Sequence, residues 1–293
     1  MAKREPDMTG EAGADTGRGV QAIEAGGRLL TAMVEAGRPG MLRDIASAAG
    51  MTPAQAHAYL RSFRKLDLVE QDGDTGRYRL GPFALQLGMA RIRSYDPLRM
   101  AGNAAVDLAA ELGLMVAILV WGTHGPTVIQ VQEGADQVHV NVRAGNVFSI
   151  TGTASGSVFA TYLPEKVIAE RVRGELREGS HTQRIGAPTS HEALAAEIAK
   201  VRARGYATIE SRPIPGVNAL SAPVFDWTGQ LQLVITLIGP DGALPITEGS
   251  EQAAVLLSYS QRLSTQLGYV QRDEAITTMA PADKLASRKK RVG

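Results

Sequence analysis

Residues 42–66, LRDIASAAGMTPAQAHAYLRSFRKL, constrain this chain more than any other stretch. Leu42, Ile45, Ala46 and Ala49 recur at helical spacing, and Gly50 stops that run. One residue later Thr52 offers an N-cap, Pro53 suits the first helical turn, and Gln55 at the third position completes a capping box. Two short helices joined by so tight a Gly-containing turn make a helix-turn-helix. Ala56, Tyr59 or Leu60, Phe63 and Leu66 form the inward face of the second helix, leaving Ala54, His57, Ala58, Arg61 and Lys65 outward.

The flanks extend the motif. Upstream, Val20, Ile23, Gly27, Leu30 and Val34 predict a helix with one buried stripe, ended by Gly37-Arg38-Pro39-Gly40. Downstream, Leu68–Gln71 and Arg77–Leu80 flank DGDTG, two strands around a Gly-rich loop. Three helices followed by a hairpin is the order of a winged helix. The total net charge is only +1, but residues 36–95 hold nine Lys plus Arg against five Asp plus Glu. A helix with Gln, His and Arg outward suits a major groove, with cations beside it on phosphates.

Composition narrows the classes. The chain has no cysteine, which removes disulfides, thiolate metal sites and Cys nucleophiles. The five histidines show no metal-ligand spacing, so neither metal nor cofactor is expected. The longest apolar run, Leu112–Trp121, is too short for a bilayer, and the first twenty residues are unlike a signal peptide, pointing to a cytoplasmic chain without membrane association. Residues 1–17 lack periodicity and read as a disordered tail. The last ten residues, KLASRKKRVG, hold five cations and close a basic flexible tail, 271–293.

Pro82–Tyr95 predicts a connecting helix within a linker over 82–97, and Leu98–Leu112 a further helix. The period then shifts toward two, with strands expected at Met115–Trp121, Thr127–Gln132 and Gln137–Arg143. Helices follow at Ala154–Tyr162 and His191–Arg204, strands at Tyr206–Ile209, Leu220–Phe225 and Leu231–Ile238, and a last helix over Glu248–Leu267. The class is α+β: a winged helix over 18–81, then a larger domain over 98–270. In that domain TGTASG lacks the ending of a phosphate loop, and Ser155 and Ser157 have no base arranged beside them. Gly152, Thr153, Ala154 and Ser155 open a helix whose free N–H groups can receive an anion, or Thr153 or Ser155 merely caps it.

These segments resemble the IclR family of bacterial transcriptional regulators. The likeness rests on residues 42–70 followed by GRYRLGPFALQLG, on SITGTASGSVFATYLP, and on RARGYATIESRPIPGVNALSAPVFDWTGQLQLVITLIGP. It implies a GAF-like α/β effector-binding domain after the winged helix and a homodimer or homotetramer on double-stranded operator DNA. It also implies a small organic acid held at the Gly152–Ser155 helix start, with Ile209, Ala219, Thr236 and Ile238 around it. Those four positions are mostly aliphatic, which suits an aromatic or aliphatic acid better than a two-carbon oxoacid. Where the family usually places an Arg on the recognition helix this chain has Ala58, with Arg61 three residues on. The expected DNA surface is Thr52, Ala54, Gln55, His57, Ala58 and Arg61, flanked by Arg64, Lys65, Arg77 and Arg79 toward the backbone. The expectation is a repressor or activator, not an enzyme. The alternatives are a small-acid hydrolase or transferase with a fused helical module, and an architectural protein whose second domain only oligomerises.

Overall fold

A computed structural model describes residues 19–135, 140–177 and 187–271. The expected end segment 1–17, and all of the expected tail 271–293 except Gln271, lie outside the described residues. The chain divides into two compact units, with the boundary between Tyr95 and Asp96.

The first unit contains α1 (Gln21–Ala36), α2 (Leu42–Ala48), α3 (Pro53–Lys65), the strands β1 (Val69–Gln71) and β2 (Tyr78–Leu80), and α4 (Pro82–Ser94). Gly50 turns the chain between α2 and α3 at φ +65°, a conformation that costs a glycine little. The strands pair antiparallel, Gln71 opposite Tyr78 and Val69 opposite Leu80. Leu29, Met33, Ile45, Ala46, Ala56, Leu60, Val69 and Tyr78 pack into one core.

Two sequence expectations fail here. The α1 stripe that looked buried faces outward: Val20, Ile23 and Val34 are exposed, at 62%, 72% and 53%. The core instead takes Gly26, Leu29, Ala32 and Met33. Both faces of α1 are apolar, so periodicity alone selects the wrong one. Leu66 is likewise exposed, because α3 has already ended and Leu66 is its C-cap.

In the second unit, α5 (Pro97–Leu112) leads into β3 (Met115–Gly122) and β4 (Gly125–Gln132). Then come α6 (Ala154–Tyr162), α7 (Glu165–Leu176), α8 (His191–Arg204), β5 (Ala207–Ile209), β6 (Val217–Phe225), β7 (Leu231–Pro240) and α9 (Glu251–Gln266). The five strands form one sheet in the order β4-β3-β7-β6-β5, antiparallel throughout. Helices α6 and α8 pack on the sheet from one side. Helices α5 and α9 pack on it and on each other. This is the expected mixed α/β architecture.

Helix α7 escapes the sequence reading, although Ile168 and Val172 are four residues apart on its buried side. The short, charged repeat EKVIAERVRGEL has too little apolar content to stand out from a loop. The expected strand over Gln137–Arg143 falls partly on residues 136–139, outside the described set; Val140–Arg143 are not in a strand.

Candidate nucleic-acid interface and ligand site

Helix α3 starts as its sequence dictates. Thr52 Oγ1 accepts from the Gln55 backbone N–H at 3.3 Å, and Gln55 Oε1 accepts from Thr52 N–H at 3.1 Å and from its hydroxyl at 3.0 Å. The capping box therefore engages the Gln55 carbonyl oxygen and leaves its amide hydrogens as donors. Ala54, His57, Ala58, Arg61 and Lys65 are all exposed. Among the described residues, no hydrogen bond or ion pair engages the side chains of His57, Arg61 and Lys65.

The other three cations are engaged. Arg64 Nη1 donates to Gln71 Oε1 at 3.1 Å, Arg77 Nη1 to the Pro39 carbonyl at 3.3 Å, and Arg79 forms an exposed ion pair with Glu70. Asp72 closes the loop between β1 and β2 by accepting from Thr75 Oγ1, Thr75 N–H and Asp74 N–H. The Thr75 bonds hold its carboxyl below the ordinary range. The unit thus presents a helix with free polar tips beside a hairpin whose arginines are held in place.

In the second unit the start of α6 is buried, with Gly152, Thr153, Ala154 and Ser155 all inside. Thr153 Oγ1 accepts from Gly156 N–H at 3.0 Å and donates to the Ser149 carbonyl at 2.7 Å. Thr153 does cap its own helix. The turn just before it already contains a carboxylate. Glu175, on α7, accepts from Ser149 Oγ, from Ile150 N–H at 3.0 Å, and from Thr151 N–H at 3.0 Å and Oγ1 at 2.8 Å. Arg171 Nε adds an ion pair at 3.0 Å. Burial pushes the Glu175 carboxyl up, but the bonds from Ser149, Thr151 and Ile150 outweigh that and hold it below the ordinary value of 4.5.

The sheet face under α6 gathers the other expected residues. Across it Ile209 stands opposite Ala219, Ala219 opposite Ile238, and Ile238 opposite Met115. Ala154, Ile209, Ala219 and Ile238 belong to one apolar cluster. Thr236 lies two residues before Ile238, hence on the same face, and opposes Ser221 on β6. The Ser221 and Thr236 hydroxyls are 2.8 Å apart, on residues only 0% and 2% exposed. Ser221 is absent from the expected set, though its two-residue spacing from Ala219 signals the same face. A separate cavity of about 500 Å³, open to solvent, is lined by Trp121, His124, Arg171 and Glu175 among others. Among the described residues no group of His, Asp or Glu is placed to hold a metal ion.

Comparison with known proteins follows this division of the chain. Residues 22–73 match the IclR helix-turn-helix domain, and residues 90–265 match the C-terminal domain of the bacterial transcriptional regulator IclR. The glycerol operon regulatory protein of Streptomyces coelicolor is 28% identical over 228 residues, spanning 78% of this chain and 86% of that protein. The transcriptional repressor IclR of Escherichia coli is 22% identical over 85% of this chain and 90% of its own length. Among solved structures, Pseudomonas aeruginosa HmgR superposes with a TM-score of 0.75 at 34% identity, covering 85% of this chain and 99% of that one.

Proposed function

The chain belongs to the IclR family of bacterial transcriptional regulators, and from that premise we propose which residues read DNA and what the second unit senses. The family comprises DNA-binding regulators rather than enzymes, with a helix-turn-helix domain followed by an effector-binding domain. Helix α3 enters the major groove of a double-stranded operator, reading base edges with His57, Arg61 and the free amide hydrogens of Gln55. Thr52, Ala54 and Ala58 line the approach, and Lys65, Arg77 and Arg79 face phosphates. The observation that carries this reading is the exposed set His57, Arg61 and Lys65 on a capped helix, unbonded among the described residues.

The ligand is a small organic acid, aromatic or aliphatic, held between the Gly152–Ser155 helix start and the face bearing Ile209, Ala219, Thr236 and Ile238. The apolar row supports an apolar body, and the Ser221–Thr236 hydroxyl pair supports one polar contact. Because Glu175 fills the turn before the helix, the acid meets the α6 end itself rather than that turn.

The working form is a homodimer, and any pairing into a tetramer uses other surfaces of the second unit. Helix α1 exposes Val20, Ile23 and Val34, and α4 buries no residue while exposing Phe83, Leu85, Leu87 and Met89. Exposed apolar residues in such number suit a second copy and a palindromic operator. The regulator acts in the cytoplasm, where its DNA is, and the relatives named as repressors support repression. Gel-shift titration of the DNA upstream of the protein's own gene tests the first half: Arg61→Ala weakens specific binding while leaving random duplex nearly unchanged. Equal loss on both duplexes would reduce Arg61 to a phosphate contact.

A further inference from the structure

We propose that Gln71 is a positioning residue that ties the wing to the recognition helix, and that Arg64 acts through it rather than as an independent phosphate contact. The proposal rests on the reading of α3 and the wing as the DNA surface, and it concerns how that surface is held in shape.

The geometry is a relay of two hydrogen bonds. Arg64, in the last turn of α3, donates through Nη1 to Gln71 Oε1 at 3.1 Å. Gln71, the last residue of β1, donates through Nε2 to the Gly76 carbonyl at 3.0 Å. Gly76 ends the wing loop at φ +67°, and its N–H donates to the Asp72 carbonyl at 2.9 Å. One side-chain amide, using its acceptor on one side and a donor on the other, thus joins the end of the recognition helix to the base of the loop.

Among the described residues this is the side-chain hydrogen-bond path that joins α3 to the loop. The wing strands have three residues each, a length that sets little register by itself. On the side facing the core, Val69 and Tyr78 are buried, and Gln71 continues that face at the open end, where apolar packing has stopped. The outer face is held by the Glu70–Arg79 pair, which is solvent-exposed and joins strand to strand only. Arg77 is fastened to Pro39, on the opposite side of the hairpin from α3. Without the Gln71 amide the loop keeps its internal Asp72 turn, and β2 keeps its bridge to Gly40, but the loop loses its side-chain tie to α3, which loosens the placement of Arg77 and Arg79 against their phosphates.

The two roles of Arg64 give different salt dependences. An independent phosphate contact contributes its own share of counterion release, whatever residue 71 is. A residue acting through Gln71 shares its effect with Gln71, and the two substitutions do not add. The experiment uses full-length protein and a duplex selected from random sequence by the unmodified protein. Binding is measured from low to high salt for the unmodified chain, Arg64→Met, Gln71→Met and the double variant. Each single variant is expected to make the logarithmic salt slope shallower by about 0.9–1.8 per subunit, the share of one or two wing phosphates. The double variant is expected to match either single one. Hydrogen exchange at 73–77 without DNA is expected to accelerate in Gln71→Met while α3 amides keep their protection, which separates wing release from unfolding.

Additive slopes, or a Gln71→Met slope equal to that of the unmodified protein, would overturn the proposal and return Arg64 to the phosphate contacts. Unaltered exchange at 73–77 would overturn it as well. If the unmodified protein selects no duplex at all, the reading of α3 as a DNA surface fails instead.

Discussion

Thr151 donates twice to the same oxygen of Glu175, through its backbone N–H at 3.0 Å and its hydroxyl at 2.8 Å. The bond joins α7 to the turn that launches α6, and with Ser149 and Ile150 it surrounds a carboxylate that is 4% exposed. A buried charge is tolerable only when so completely bonded. The expected ligand site is built on this turn, so its shape depends on a residue twenty-four positions downstream.

Removing that carboxylate leaves several buried donors without an acceptor. Glu175→Ala is expected to destabilise the protein by about 3–5 kcal/mol, the range for breaking a buried charged network. Denaturant titration of the full chain measures it. A loss below about 1 kcal/mol, the size of an exposed pair, would mean that water replaces the carboxylate easily.

The same group sets a pH dependence. Its folded pKa lies below the ordinary 4.5, so its contribution is complete above that value and is lost as pH falls through the folded pKa. The stability difference between the unmodified protein and Glu175→Gln is therefore expected to be constant near neutrality and to shrink below about pH 4.5. A difference that grows on acidification would contradict the sign.

Arg61 carries the expected base reading on a face where Ala54 and Ala58 offer only methyl groups. Arg61→Ala is expected to cost about 1–3 kcal/mol on a selected operator and to relax one base preference, read by repeating the selection with the variant. Conversely, Ala58→Arg adds a cation to an exposed position and is expected to steepen the salt slope by about 0.9 per subunit.

The outward stripe of α1 predicts an interface. Ile23 is 72% exposed, so Ile23→Glu is expected to leave the melting of an isolated subunit nearly unaltered while shifting the assembly toward monomer. Sedimentation at several concentrations distinguishes this from an unaltered assembly, which would place the interface elsewhere.

Much of the fold is legible in the sequence where a local signal is strong. Thr52, Pro53 and Gln55 specify the start of α3, and Ala154–Tyr162 and His191–Arg204 are helices over the residues that their patterns indicate. Sequence falls short where a choice depends on the tertiary partner. Either face of α1 could enter a core, and the partners decide it: Leu29 and Met33 pack with Ile45 and Leu60, and a Cβ at Gly26 would lie 2.8 Å from the Phe63 ring. At the expected ligand face, register is legible in part. Ile209, Ala219 and Ile238 do align across three strands, because strand residues at matched register share a face. Glu175 was not foreseeable, since nothing local links a carboxylate on a weakly patterned helix to a turn at 149–151. Arg64, Arg77 and Arg79 look alike in sequence, and only their partners Gln71, Pro39 and Glu70 distinguish them.

We propose that the second unit senses an organic acid with an apolar body and thereby alters DNA binding by the first. The most direct measurement is a gel shift on the selected operator with benzoate, phenylacetate, hexanoate, pyruvate and glyoxylate titrated in turn, run in parallel with Thr236→Val. At least one of the first three is expected to change the affinity for DNA, pyruvate and glyoxylate are not, and Thr236→Val is expected to blunt the response without altering ligand-free binding. A response confined to pyruvate or glyoxylate, or none to any of the five, would contradict it.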